Sequence, residues 1–289
     1  MMGRHRSTIA REIRRNTTAP DGSYRYARAQ EAANGRRRRS RKHSHFTVDD
    51  WRLVEALLRA DLSPEQLSGL LGRLGVLRIS HETIYQHIWR DKKRGGQLYC
   101  RLRQRPRHRK RYGTYEKRGR LAGKRHISER PSVVELRQEF GHWEIDTVSG
   151  AGAKDCVVTL VERATGAVVI GKLRDHTTAA LNRRVLRIIG TAPHLFKTIT
   201  ADNGTEFHGY REIERGTGVT FYFATPYHSW ERGTCENTNG LIRQYLPKRQ
   251  SMKNVTQAQC EAIARVLNHR PRKRFGFKSP LERIREFSS

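Results

Sequence analysis

The chain has 289 residues, room for about two domains, and carries 58 Lys and Arg against 28 Asp and Glu, a formal net charge of +30. That excess points to a polyanionic partner, nucleic acid first among them, and no amphipathic basic helix or lipidation signal points instead to a membrane. The four cysteines (Cys100, Cys156, Cys235, Cys260) lack zinc or C-x-x-C spacing, no apolar run could span a bilayer, and the basic N-terminus lacks the apolar stretch of a secretory signal, so a cytoplasmic location is expected.

The charge is uneven: 35 basic and 14 acidic residues fall in the first 140, leaving +9 of the +30 for the rest. Residues 7–15, STIAREIRR, read as a helix capped by Ser7, with Ile9, Ala10 and Ile13 on one face. Arg11, Arg14 and Arg15 fall on the other, suited to phosphates; a solvated basic helix is the plainer alternative. Residues 23–42 lose apolar periodicity and end in an arginine run, which predicts a flexible basic linker closing a segment at 1–45.

Residues 46–91 read as three helices. The first places Trp51, Val54, Leu57 and Leu58 inward. Ser63 caps the second, with Pro64 at its first position, Gln66 completing a capping box, and Gly69, Gly72 and Gly75 shortening and ending it. Ser80 caps the third, HETIYQHIW, with Ile84 and Ile88 inward. The pattern matches an all-α helix-turn-helix unit in which His81, Glu82, Thr83 and Gln86 face base edges; a plain three-helix bundle is the alternative. Residues 92–130 are predicted to be a linker without a core, since 15 basic residues and a single acid lie between Lys92 and Arg125. Tyr99, Tyr112 and Tyr115 are candidates there for stacking on bases.

From 131 to 289 the pattern becomes α/β. Three strands (HWEIDTV, CVVTLVER, AVVIGKL), a helix through Leu181–Ile189, a strand FKTITAD, a short helix and a strand VTFYFA are followed by helices near 231–246, 256–268 and 280–287. This order predicts a mixed sheet flanked by helices, a ribonuclease H-like core of the integrase type. Asp146 near the end of the first strand and Asp202 at the end of the fourth would then project from one sheet end, with Glu236 on the helix after the fifth strand. Three converging carboxylates need cations, and hard oxygen donors suit two Mg²⁺ ions, or Mn²⁺, which can stabilise both oxygens of an in-line displacement at phosphorus. Arg243, two helical turns beyond Glu236, and Asn239, one turn beyond, share its face; Asn203 and His142 are candidate supporting groups, and Glu144 is a rival ligand. Taken singly, each acid has a plainer structural reading, Trp230 and Tyr227 are as consistent with core as with DNA, and Asp-Asn-Gly is a common turn.

The segments STIAREIRRN, SPEQLSGLL, SHETIYQHIW, GHWEIDTVSG, TLVERATG, TITADNGTEF, PYHSWERGTCENTNGLIRQYLPK and LNHRPRKRFGFKSPLERI resemble the DDE transposases of the insertion-sequence-thirty family over nearly the whole chain. The resemblance implies a catalytic and metal-binding triad at Asp146, Asp202 and Glu236, with 33 residues between the last two, and a basic partner at Arg243. It further implies a bacterial, nucleoid-associated protein acting as a homo-oligomer on double-stranded DNA. Such a protein binds the terminal inverted repeats of a mobile element, cleaves with Mg²⁺ and joins the ends to target DNA. Two departures stand out: Cys235 replaces the family's usual Asn, and STIAREIRRN resembles the last helix of a first helix-turn-helix whose earlier helices are missing, as in a truncated element or one whose start lies upstream. A non-catalytic helix-turn-helix regulator, an inactive truncated transposase and a nuclease that cleaves without joining are the rival readings.

Overall fold

The computed structural model describes residues 4–17, 22–39, 46–103, 123–151, 155–226 and 228–288. Tyr112, Tyr115 and Tyr227 lie outside them. Two compact units emerge, Met1–Val54 and Glu55–Ser289.

The first unit holds α1 (Arg6–Asn16) and α2 (Tyr26–Arg39). The cap of α1 is His5, whose ring accepts from the Ser7 amide at 3.4 Å, so Ser7 lies inside the first turn instead of capping it. Ile9 and Ile13 remain 44% and 46% exposed. The segment expected to be a linker is instead the helix α2. Alanine, glutamine, glutamate and arginine are all strong helix formers, and apolar periodicity reports a packing face, not helix formation itself. Thr17 bridges to Tyr24, and Arg36 Nη2 donates to Asn16 Oδ1 at 2.9 Å, tying α2 back to α1.

Helix α3 (Val48–Arg59) crosses the boundary between the units and is followed by α4 (Pro64–Arg73) and α5 (His81–Lys93). Ser63 and Gln66 form the full capping box on α4, and Ser80 caps α5. Leu58, Leu67, Leu71, Ile84 and Ile88 are buried, and His87 meets Glu55 at 3.0 Å. Gly69 does not end α4: the Phe277 ring lies so close over it that a Cβ would collide. The stretch expected to be an unstructured linker is partly ordered. Leu98 is buried in a short 3₁₀ turn whose amide is held by Asp91 at 3.0 Å, and Arg125 to Arg130 dock on the sheet edge, with Phe223 N donating to Arg125 O at 2.9 Å. Backbone pairing, one apolar side chain, the Arg125–Glu214 ion pair and the Arg130 bond to Thr200 hold these parts despite the charge.

After the short α6 (Ser132–Leu136), the sheet consists of β1 (His142–Ser149), β2 (Cys156–Glu162) and β3 (Val168–Lys172), then α7 (Thr178–Thr191), β4 (Thr198–Ala201), α8 (Tyr210–Thr217) and β5 (Thr220–Phe223). Helices α9 (Gly233–Ile242), α10 (Gln257–His269) and α11 (Pro280–Ser288) complete the chain, α9 being shorter at both ends than the sequence suggested. Strand order is β3-β2-β1-β4-β5, antiparallel among the first three strands and parallel through β1, β4 and β5. This is the mixed, ribonuclease H-like plan expected from the element order.

Strand alternation gives the sheet two faces. Trp143, Ile145, Val158, Leu160, Ile199, Phe221 and Phe223 pack one face on Leu181 and Val185 of α7 and Ile213 of α8. Val148, Val157, Val161 and Ile170 pack the other on Cys235 and Ile242 of α9 and Cys260, Ala264 and Leu267 of α10. Each of the large side chains buried this way contributes about 1.5–3 kcal/mol. The acids of β1 belong to the second face, so α9 is pressed against them.

Candidate active site

The parallel pairing of β1 with β4 sets His142 beside Thr198 and Glu144 beside Thr200. Carried two residues further, the same register brings Asp146 level with Asp202, just past the end of β4. The two carboxylates share one cation. Arg232 Nη2 donates to Asp202 Oδ2 at 3.0 Å, its Nη1 lies 3.9 Å from Asp146 Oδ2, and Nη1 also donates to the Ile145 carbonyl at 3.1 Å. Arg232 precedes α9 by one residue, in a short 3₁₀ turn, so the start of that helix fixes its place.

Asp146 is held further by Asn239 Nδ2 at 2.9 Å and by the Thr147 amide at 2.8 Å, while Asn239 Oδ1 accepts from Thr159 on β2 at 3.0 Å. Burial pushes the Asp146 carboxyl up to about 6; Arg232 opposes the rise, and the neighbouring Asp202 and Glu206 add to it. Its charge is thus only partly balanced.

Glu206 was missed by the sequence reading. It accepts from Thr147 Oγ1 at 3.0 Å and meets His176 Nε2 at 3.3 Å. Arg232 was missed as well. The only signal for each was closeness in sequence to an expected acid: Arg232 lies four residues before Glu236 and Glu206 four after Asp202.

The other expected residues divide. Glu236 is exposed on α9, and among the described residues no three His, Cys, Asp or Glu side chains converge as a metal-binding group, so the structure brings together two of the three expected acids. Glu144, the rival ligand, is fully buried: it accepts from Arg163 Nη1 and, at 2.7 Å, from the Cys235 amide, leaving it no open position. Cys235 packs in the core, with burial raising its thiol pKa well above the ordinary range. His142 bonds Thr198 Oγ1 and Glu139, away from the acid pair. Arg243 donates to the carbonyls of Ser149 (2.8 Å) and Leu246 (3.4 Å), and burial lowers its pKa. Asn203 ties Lys124 to the Ala224 carbonyl across the ends of β4 and β5. On α5, His81, Glu82 and Gln86 are exposed, whereas the Thr83 hydroxyl is engaged with Ser80 at 2.8 Å. Arg11, Arg14 and Arg15 are exposed on α1, and Trp230 is 69% exposed, stacked on His228.

Among the described residues no helix is long and apolar enough to cross a membrane. No family model matches the chain. It is 42% identical over 286 residues to the transposase for insertion sequence element IS4351 of Bacteroides fragilis, spanning 99% of this chain and 88% of that protein. It is 38% identical to the transposase for IS1086 of Cupriavidus metallidurans, over 97% of this chain and 86% of that protein. Against the transposase InsI for IS30A of Escherichia coli the identity is 35%, over 98% and 76%. Among solved structures, the catalytic core domain of BIV integrase is similar at 19% identity and a TM-score of 0.41, covering 52% of this chain and 97% of that one. Identity at this level over nearly the whole chain and at least three quarters of each relative places the chain in the insertion-sequence-thirty family of transposases.

Proposed function

We propose that the chain uses Asp146, Asp202 and Glu236 to cut DNA at the terminal inverted repeats of its element and to join the freed ends to target DNA. One observation carries this reading: two acids from neighbouring parallel strands lie level and share a single cation, Arg232, at a sheet end that water reaches. Their hard oxygen donors suit Mg²⁺, or Mn²⁺ in its place, and the Arg232 guanidinium stands in for the charge of such an ion. Asp146 and Asp202 therefore fit a divalent ion, and Glu236, on the helix that also carries Asn239, would be the third ligand. Two ions held there would supply charge stabilisation to the attacking and leaving oxygens of a displacement at phosphorus.

The chain's own residues do the positioning. Asn239 and the Thr147 amide fix the two oxygens of Asp146, Arg232 offsets the repulsion between the acids, and Arg243 braces the end of α9 against that of β1. Residues 46–91 would read the element ends through His81, Thr83 and Gln86. Residues 1–45 would grip phosphates through Arg11, Arg14 and Arg15, residues 92–130 would connect, and residues 131–289 would carry the chemistry. A homo-oligomer assembled on double-stranded DNA would bring both ends together.

The test is cleavage and joining of a linear DNA bearing the element's ends, with Mg²⁺ or with EDTA. Asp146→Asn, Asp202→Asn and Glu236→Gln are each expected to lose both steps by about 10²–10³-fold or more, the scale of removing one group that stabilises transition-state charge, and to keep DNA affinity. A variant that still cleaves at the wild-type rate removes its residue from the set. Selective binding without any cleavage by the wild-type chain reduces the protein to a DNA-binding regulator.

A further inference from the structure

The basic run at residues 269–274, HRPRKR, has no part in the reaction above. The structure folds it along a cleft of about 690 Å³ whose walls include the start of α4, one residue of α5, one flank of α9 and Arg101 to Arg103. Two carboxylates line the cleft, Asp61 and Glu65, and each already faces a cation, Arg101 at 4.0 Å and Lys273 at 2.6 Å. Five more cations line it: Arg103, Arg137, Arg270, Arg272 and Arg274. Among the described residues none of these five has a carboxylate within ion-pair distance.

Burial and the like-charged neighbours Arg270 and Arg274 push the Arg272 guanidinium down to about 10. Two buried polar atoms on the lining residues also lack a partner. Arg270 is 3% exposed and bonds Gln244 and Tyr245 through its terminal nitrogens, but its Nε is unpaired; Thr234 is 6% exposed and its Oγ1 is unpaired. Clustered uncompensated cations together with unsatisfied buried donors are costly unless an anion completes them.

We infer that this cleft is a phosphodiester-binding site that takes the sugar–phosphate backbone of a DNA strand passing along the outer flank of α9. The inference rests on the reading that the chain acts on DNA. A single bound phosphate ester carries at most two charges, too few for five guanidinium groups that have no carboxylate partner among the described residues, whereas a strand supplies one charge per about 3.4 Å of axis. The planar guanidinium fork also matches phosphate oxygens in pairs. Helix α9 is the shared wall: Asn239 faces Asp146, while Thr234, Thr238 and Leu241, spaced four and three residues apart, line the cleft. A strand held there runs beside the helix that carries Glu236.

The experiment is duplex binding by the full chain in EDTA across a salt series, for wild type, for the double variant Arg272→Gln/Arg274→Ala, and for the charge-preserving Arg272→Lys/Arg274→Lys. The double variant is expected to bind about tenfold more weakly, with the slope of log K against log salt shallower by roughly 2. The lysine pair should restore the slope but not the full affinity, because it keeps charge and loses the fork. Thermal melting checks the fold, and the single change Arg274→Glu, at an exposed position, replaces the double variant should that unfold. Unchanged affinity and slope overturn the proposal. So does protection of wild type alone by inorganic phosphate with duplex affinity equal in both, which would make the cleft a small-anion site. Because metal is absent, loss of binding in the variant supports the cleft even if no strand transfer is ever seen, and strand transfer with unchanged binding leaves the reaction standing without it.

Discussion

Glu144 and Asp146 stand two residues apart on one face of β1, and both meet α9, yet their surroundings differ in kind. Glu144 is sealed from water, with Arg163 on one oxygen and the Cys235 amide on the other. Asp146 keeps a quarter of its side chain open, receives two neutral hydrogen bonds, and has its nearest cation at 3.9 Å, shared with Asp202. A carboxylate sealed from water with both oxygens hydrogen-bonded is an anchor. One left short of charge at an open strand end is where the proposed cation would bind. The same residue class on one strand thus serves two ends, and the amount of compensation separates them.

The largest effect that could break this comparison lies at the anchor. Glu144→Ala leaves Arg163 buried beside an empty site and is expected to cost about 3–5 kcal/mol in urea denaturation. Replacing both partners, as Glu144→Leu with Arg163→Met, should recover much of that loss. A single-variant cost below about 1 kcal/mol would mean that Glu144 does not hold α9 to β1.

At Asp146 the expected signal is a pH dependence. Its folded-state pKa of about 6 exceeds the ordinary 3.8, so the folded chain holds that proton more tightly than the unfolded chain does. The group's contribution to stability is therefore full below about pH 4, falls as pH rises through about 6, and is level beyond. With the shift discounted for partial exposure, the loss is about 2 kcal/mol. Carboxyl carbon NMR in EDTA should find the Asp146 midpoint near 6, and Mg²⁺ should move it down. A midpoint at the ordinary value would erase the contrast with a cation-hungry site.

A smaller effect is expected at Arg232. Arg232→Gln removes the cation between the two acids and should lower stability at neutral pH by about 1–2 kcal/mol in EDTA. Mg²⁺ should then raise the melting temperature of the variant more than that of wild type. Equal shifts would show that the guanidinium and the ion do not share a place. The smallest test concerns α9 packing: in the native state a thiol reagent should label exposed Cys100 while buried Cys156, Cys235 and Cys260 stay protected, and fast labelling of Cys235 would mean that the start of α9 opens readily.

Much of the framework was legible in the residues. The capping box at Ser63 and Gln66, the cap at Ser80, and the apolar, β-branched runs of β1 and β2 are local signals, enough to define α4, α5 and these strands. Helix α2 was misread because its arginine run was taken for a linker, although its alanines and arginines favour helix without any apolar face. Of the glycines expected to shorten and end α4, Gly75 lies two residues past its last residue with positive φ, whereas the packing of Gly69 under Phe277, more than 200 positions away, leaves no signal in the sequence.

For the site, the sequence determined which residues carry charge and where along strands and helices they fall, enough to make Asp146, Asp202 and Glu236 candidates. Those are properties of short windows, where backbone periodicity and side-chain chemistry act within a few residues. Only the tertiary structure decided which charges meet: that Arg163 seals Glu144, that Arg232 spans Asp146 and Asp202, that Glu206 joins them, and that five arginines line one cleft with no carboxylate among the described residues in ion-pair distance of any of them. Coulomb and desolvation energies depend on distance and burial in space, and sequence separation does not encode either.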